Sequence, residues 1–456
     1  MNMKYKASTG VTKQAVLSGF LFGIALLFLA FIAGCDKVDE VFEVQNPGNI
    51  TDEGLQAGTA IPPLTAGVAG DFAVAMGGGT TNFVAEFDGM ATDDAQHIGS
   101  FPTFREVDDP LPKTLDIQNV SLNGMYQQLA RARWVADDAV NRIKSVVAET
   151  SWSRNANIAS ILVHAGYSYA FLADLYNGAP IDGGPKLTRA QLYQKAIERF
   201  TEAITVGTNA SNSALPGRVP NSVGSTTGVV TAASGTEWVR RAQAGLARVY
   251  HITGSLTQAK TYADLGSPVG QTTFRFNATF SLNSTRENNY WHWANNVRNE
   301  VGVAPDARAL YAANPTDTRI RTTRATGSGG FGGDGTREWW IQYKFTGYDS
   351  PMRIAGWQEM ELIRAEAAQR SGDLAGAIAA INRVRAAVAG LAARGSSSDA
   401  NQVLDWIKYE RRAEFFWEGR RIANLRYFGE TSKIKLPTGY FPIPSSERDT
   451  NPNPMD

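Results

Sequence analysis

The chain has one cysteine, Cys35, and four histidines in 456 residues. A lone cysteine excludes an internal disulfide framework. His97, His164, His251 and His292 stand far apart, none at the His-x-x-x-His spacing that places two ligands on one helical face, so no metal or other cofactor is expected. Charge of either sign is not in excess: Lys+Arg and Asp+Glu both total 44, which leaves no basic field to hold nucleic acid. Gly77-Gly78-Gly79 has no Lys-Ser/Thr behind it and reads as a flexible turn, not a phosphate loop. Glu86 and Asp88 are near neighbours, but two carboxylates this close arise by chance in any protein, and no enzyme is expected. Long apolar runs are also absent after Ile32.

The apolar run that does exist, Ala15 to Ile32, follows Lys4, Lys6 and Lys13 and ends in Phe31-Ile32-Ala33-Gly34-Cys35. It is nearly long enough to serve as a transmembrane anchor. Small residues directly before the lone cysteine favour a lipoprotein signal instead. The expectation is that residues 1–34 are removed, that Cys35 carries the lipid, and that 35–456 is the working chain. Hydrophobic residues make up 43%, enough for a large core.

Helices dominate the rest of the chain. A short one is expected at Thr51 with Asp52-Glu53 in its first turn. Apolar residues recur at helical spacing in Leu122–Val147, in Ile158–Tyr176 closing at Asn177-Gly178, and through Leu192, Ala196, Phe200 and Ile204. Trp238–Tyr250 and Leu256–Ala263 read as a hairpin broken at Gly254-Ser255. Alanine-rich paired helices of this kind predict a mainly α fold of tetratricopeptide-like hairpins with long irregular excursions. The excursions are 207–235, rich in Ser, Thr, Gly, Asn and Pro, and 266–350, where Gly327–Gly335 is expected to be mobile. After Gly429 prolines disfavour helix, and the tail is expected to wrap the surface.

The densest pattern is Trp406 to Arg421. Trp406, Tyr409, Ala413, Phe416 and Arg420 share one face, and Glu410, Glu414 and Glu418 lie four apart beside it. Like charges at that spacing repel, so cations are required, with Arg411, Arg412, Arg420 and Arg421 at hand. A buttressing helix with an ion-pair network is the expectation. The run Glu-Arg-Arg-x-Glu-Phe-x-x-Glu-Gly-Arg-Arg, followed by Phe441-Pro442-Ile443-Pro444 and Glu447 to Asn453, resembles the C-terminal signature of the SusD/RagB family. Trp357 to Ala367, leading into Gly372-Asp373 and Ile381 to Arg385, is similar to that family's penultimate helical hairpin. Tyr167 to Pro180 and Thr92-Asp93-Asp94 resemble further family segments, with Asn177 displacing a glycine.

The resemblance implies a SusD-like α-superhelix. It also implies a lipoprotein of the outer membrane facing the cell exterior, which binds a glycan or other polymeric nutrient and hands it to a SusC-type TonB-dependent transporter. In such bacteria an acidic cluster such as Asp36, Asp39 and Glu40 resembles a surface-export signal. Ligand residues carry no shared motif, so candidates are chosen by chemistry: rings for the apolar faces of sugars, planar polar groups for hydroxyls. One cluster is His97, Phe101, Phe104 and Arg105; a second is Tyr290, Trp291, Trp293 and Asn295 with Arg298; a third is Trp339 and Trp340. A peptide binder, or a tetratricopeptide-like scaffold without a small ligand, stays open as the alternative; exposed tryptophans would favour the binding protein, and buried ones with an apolar groove elsewhere the scaffold.

Overall fold

In the computed structural model the described residues are 51–79, 81–109, 115–211 and 235–455. The signal segment, Cys35, the acidic residues after it and the middle of the 207–235 excursion lie outside them. The helices are α1 (Asp52–Gln56), α2 (Ile61–Gly77), α3 (Val84–Met90), α4 (Pro102–Asp108), α5 (Val120–Val146), α6 (Glu149–Trp152), α7 (Ala156–Leu175) and α8 (Arg189–Ser211). They continue as α9 (Gly235–Ile252), α10 (Leu256–Gly266), α11 (Pro305–Ala313), α12 (Trp357–Arg370), α13 (Leu374–Ala386), α14 (Ala400–Glu414), α15 (Arg421–Tyr427) and α16 (Ser445–Thr450). Eight short strands form four antiparallel pairs: β1 (Ala95–His97) with β5 (Val301–Val303), β2 (Ala179–Pro180) with β3 (Lys186–Leu187), β4 (Arg275–Ala278) with β8 (Met352–Gly356), and β6 (Thr322–Arg324) with β7 (Trp340–Gln342).

The long helices pack in series, α5 on α7, α7 on α8, α8 on α9, α9 on α10, α10 on α12, and α12 on α13 and α14. This is the expected row of tetratricopeptide-like hairpins. Two hairpins turn by the same device: Thr253-Gly254-Ser255 and Ser371-Gly372-Asp373 each place glycine in the left-handed region, at φ +84° and +86°. Asp373 then caps α13 by accepting from Gly376 N. Every residue of α7 is buried, because α2, α5, α8 and α9 surround it. Its apolar composition would suit a bilayer, but protein supplies the apolar surroundings here.

Close approach between three of these helices depends on missing side chains. Phe200 of α8 inserts between Gly166 of α7 and Gly245 of α9, and a Cβ on either glycine would fall 2.4–2.5 Å from its ring. Gly77-Gly78 is likewise packed, against Met352, Phe280 and the Asn288 carbonyl, and is not the free turn expected.

Three other expectations change. The Trp406–Arg421 stretch is not one helix. It unwinds after Glu414, with Trp417 at φ +60° and Gly419 at φ +73°, and restarts at Arg421. Gly327–Gly335 is tied down: Gly333 N donates to Asn299 O (3.1 Å) and Asp334 N to Ile98 O (2.9 Å). The tail after Gly429 includes the short α16 and buries Ile434, Leu436, Phe441 and Ile443, so it is sewn into the core instead of lying over it.

The ion-pair network is present, with partners from elsewhere in the chain. Glu410 meets Arg319 (2.7 Å) and Arg385 (2.6 Å); Glu414 meets Arg353 (2.9 Å); Glu418 meets Lys344 (2.8 Å) and Arg353 (3.1 Å). Of the neighbouring arginines, Arg420 pairs with Glu359 on α12 (3.0 Å), which also holds Arg248 of α9 (2.8 Å). Burial alone would raise the Glu359 carboxyl, but Arg248 and Arg420 outweigh it and hold its pKa at about 2.

Two outcomes are expected. Gly245→Ala destabilises by about 1–3 kcal/mol in urea titrations despite the better helix propensity of alanine, because Phe200 has nowhere to move. Glu359→Gln costs about 3–5 kcal/mol at pH 7 by stranding buried guanidinium charge. A carboxyl held below its unfolded value stabilises above that value, so the gap between wild type and Glu359→Gln narrows as pH falls from about 5 toward 2.

Candidate functional site

Pairing of β1 with β5 brings together two of the three groups chosen from sequence. Residues His292–Val297 form a π-helical turn, closed by Arg298 N donating to Trp293 O at 2.8 Å. Such wide turns recur at functional sites because the extra residue re-aims the side chains around it. Here Trp291, Ala294 and Asn295 point inward, whereas Trp293, Val297 and Arg298 reach the surface.

The outward groups form a row. Tyr290 and Trp293 lie 5.3 Å apart. The Arg298 guanidinium sits 5.4 Å from the Trp293 ring and 5.1 Å from Phe101, bridging the two predicted clusters. Glu300 holds this arrangement from below. It accepts from Phe101 N (2.7 Å) and faces His97 Nε2 (3.2 Å) and Arg298 Nε (3.7 Å). Burial would raise the Glu300 carboxyl, but its hydrogen bonds to His97 and to the Phe101 amide bring it below its ordinary value. Its carboxylate fits only because residue 99 is glycine. Beside the row, Ser100, Trp293, Asn299 and Gly333 line an open recess of about 390 Å³.

The remaining candidates serve the scaffold. Trp291 is fully buried, stacked on Trp417 at 4.1 Å, and its indole N–H donates to Trp417 O (3.0 Å), so no face is left for a ligand. Phe104 and His97 are buried beneath Phe101. Asn295 is consumed internally, donating to Val301 O (2.7 Å) and Trp340 O (3.0 Å) and accepting from Gln342 N (2.9 Å). Trp339 is buried with its indole N–H on Asn295 O (2.7 Å). Trp340 is half-buried under Arg308 (5.3 Å) and lies on a second strip with Glu338, Arg324 and the exposed Phe331. Arg105 is exposed on α4, outside the row. Sequence reasoning missed Ser100, Asn299, Glu300 and Gly333, which reach the recess through pairings that no local pattern signals.

The Asp-containing turn singled out in the sequence is also structural. Asp93 pairs with Arg421 (2.7 Å) and Arg412 (3.1 Å), and Asp94 with Arg412 (3.2 Å). Asp88 caps α15 by accepting from Arg421 N (2.8 Å) and Ile422 N (3.0 Å), and burial raises its pKa to about 7 despite those bonds. Glu86 is fully buried, and neither of its oxygens has a hydrogen-bond partner. No group of three or more His, Cys, Asp or Glu suited to a metal occurs among the described residues.

The tetratricopeptide-like row of helices is shared with solved SusD-like structures. Residues 275–435 match the SusD family model. A SusD superfamily structure from Bacteroides thetaiotaomicron superposes with a TM-score of 0.63 at 17% identity, covering 87% of this chain and 99% of that one. One from Bacteroides vulgatus gives 0.60 at 17%, covering 86% and 97%. A structure described as a laminarin-binding SusD-like protein gives 0.59 at 15%, covering 87% and 98%. A comparison with curated proteins found no match. The family match is thus carried by residues 275–435, and the likeness to these structures extends the SusD-type fold over most of the chain.

Trp291→Ala is expected to cost about 3–5 kcal/mol in denaturant titrations, whereas Trp293→Ala stays within about 1 kcal/mol. Comparable losses in the two variants would overturn the assignment of Trp291 to the interior and Trp293 to the surface.

Proposed function

We propose that the protein captures a glycan on the row formed by Tyr290, Trp293, Arg298 and Phe101, and delivers it to a SusC-type TonB-dependent transporter. The observation that carries this reading is the row itself: partly exposed rings with a guanidinium between them, opening on a polar recess. Rings supply flat apolar area at low entropy cost, while Arg298, Asn299 and Ser100 offer hydrogen bonds to hydroxyls. Two related structures are described as a laminarin-binding SusD-like protein and a SusD-like carbohydrate-binding protein, which supports a sugar over a peptide. In this reading residues 35–456 are the working chain, a lipid on Cys35 holds it at the outer membrane facing outward, and binding involves no bond-breaking chemistry.

Calorimetric titration of the chain beginning after Cys35 against a polysaccharide panel tests the reading. Saturable binding to a glycan is expected, weakened at least tenfold by Trp293→Ala or Arg298→Ala with folding retained. Full binding in both variants would move the site away from the row. Co-purification of the lipidated chain with an outer-membrane transporter tests the delivery step.

A further inference from the structure

A second cavity, of about 140 Å³, lies between α2, α7, α9 and β4, away from the ring row. Its walls include Trp238 and Arg241 of α9, Arg275 and Asn277 of β4, and His164 of α7. The Arg241 guanidinium is fixed by two rings, 4.1 Å from Trp238 and 5.3 Å from Phe276. Its Nε and the indole Nε1 of Trp238 are both buried without a hydrogen-bond partner.

Other buried guanidinium groups do meet a carboxylate, as Arg248 meets Glu359 and Arg385 meets Glu410, whereas Arg411 has only the Asn424 amide oxygen. Glu237, one turn before Arg241, is paired with Arg240 (3.3 Å), and its attraction for Arg241 does not offset burial, which lowers the Arg241 pKa to about 10. Among the described residues neither Arg241 nor Arg275 has an ion-pair partner, and the sequence 212–234 that leads into α9 contains no Asp or Glu. His164 adds no positive charge at neutral pH, since burial and the nearby Arg241 push its pKa down to about 4. Two orphaned donors and two arginines around one small space constitute a receptor lacking an acceptor-rich anion.

We propose that this pocket binds an oxyanion, a carboxylate or sulfate group, seated between Arg241 and Arg275 with the Trp238 indole N–H as a further donor. It is separate from the row that holds the glycan backbone. An acidic substituent of a sugar and a free small anion share this chemistry.

Titration with sodium sulfate, acetate, glucuronate and neutral glucose at constant ionic strength tests it, on wild type, Arg241→Met, Arg275→Gln and Trp293→Ala. Saturable oxyanion binding is expected in wild type and Trp293→Ala, at least tenfold weaker in each arginine variant, and absent for glucose in Trp293→Ala. Glucuronate binding more tightly than acetate assigns the pocket to a sugar-borne acid; equal affinities assign it to a free anion. Silence with every anion, or equal anion binding in wild type and both arginine variants, overturns the proposal. Arg275 is exposed on β4, so Arg275→Gln keeps the test decisive if Arg241→Met fails to fold.

Discussion

The contact on which the rest of the surface depends is the stack of Trp291 on Trp417. Trp417 sits in the left-handed region, a conformation that costs a non-glycine residue about 1–3 kcal/mol and persists only when its surroundings hold it. Three contacts do so. Its indole donates to Asp94 O, its carbonyl accepts from the Trp291 indole, and its ring lies on Trp291. Three distant parts of the chain, near residues 94, 291 and 417, are thereby locked together. With Trp291 fixed inward, the π-helical turn has to carry Trp293 outward. The ring row is the outer consequence of an inner stack.

Charge plays the matching role among the helices. Glu359 bridges α9 to the segment after α14, and the three glutamates of the C-terminal signature gather cations from β8, α13 and the 319–344 excursion. Each pair costs desolvation, so its net contribution to stability is modest. What the network supplies is registry, since shifting any one helix would strand a buried charge. The same reasoning draws attention to Arg241, which is held between two rings with no ion-pair partner among the described residues.

The hairpins were legible in sequence because their periodicity is local. Gly254-Ser255 and Gly372-Asp373 marked turns that need left-handed backbone, and the alanine-rich faces marked close packing. The break after Glu414 was not legible. Trp406 to Arg421 keeps helical spacing throughout, and only the long-range hold on Trp417 overrides it. Of the site, the sequence offered the right neighbourhoods but not the right faces. Trp291 and Trp293 are two apart, and whether one or the other turns outward depends on the π-helical turn. Glu300 and Gly333 gave no signal at all, since their place is set by strand pairing and by Gly99.

The stitching of the C-terminal residues to segments as far upstream as Asp88 has a consequence for truncated chains. Asp88, Asp93 and Asp94 receive their partners from residues 412–422, and Ala91 and Leu175 accept from the amides of Lys435 and Phe441. A chain cut short before residue 412 therefore leaves Asp88, Asp93 and Asp94 without these partners, whatever helices it forms upstream.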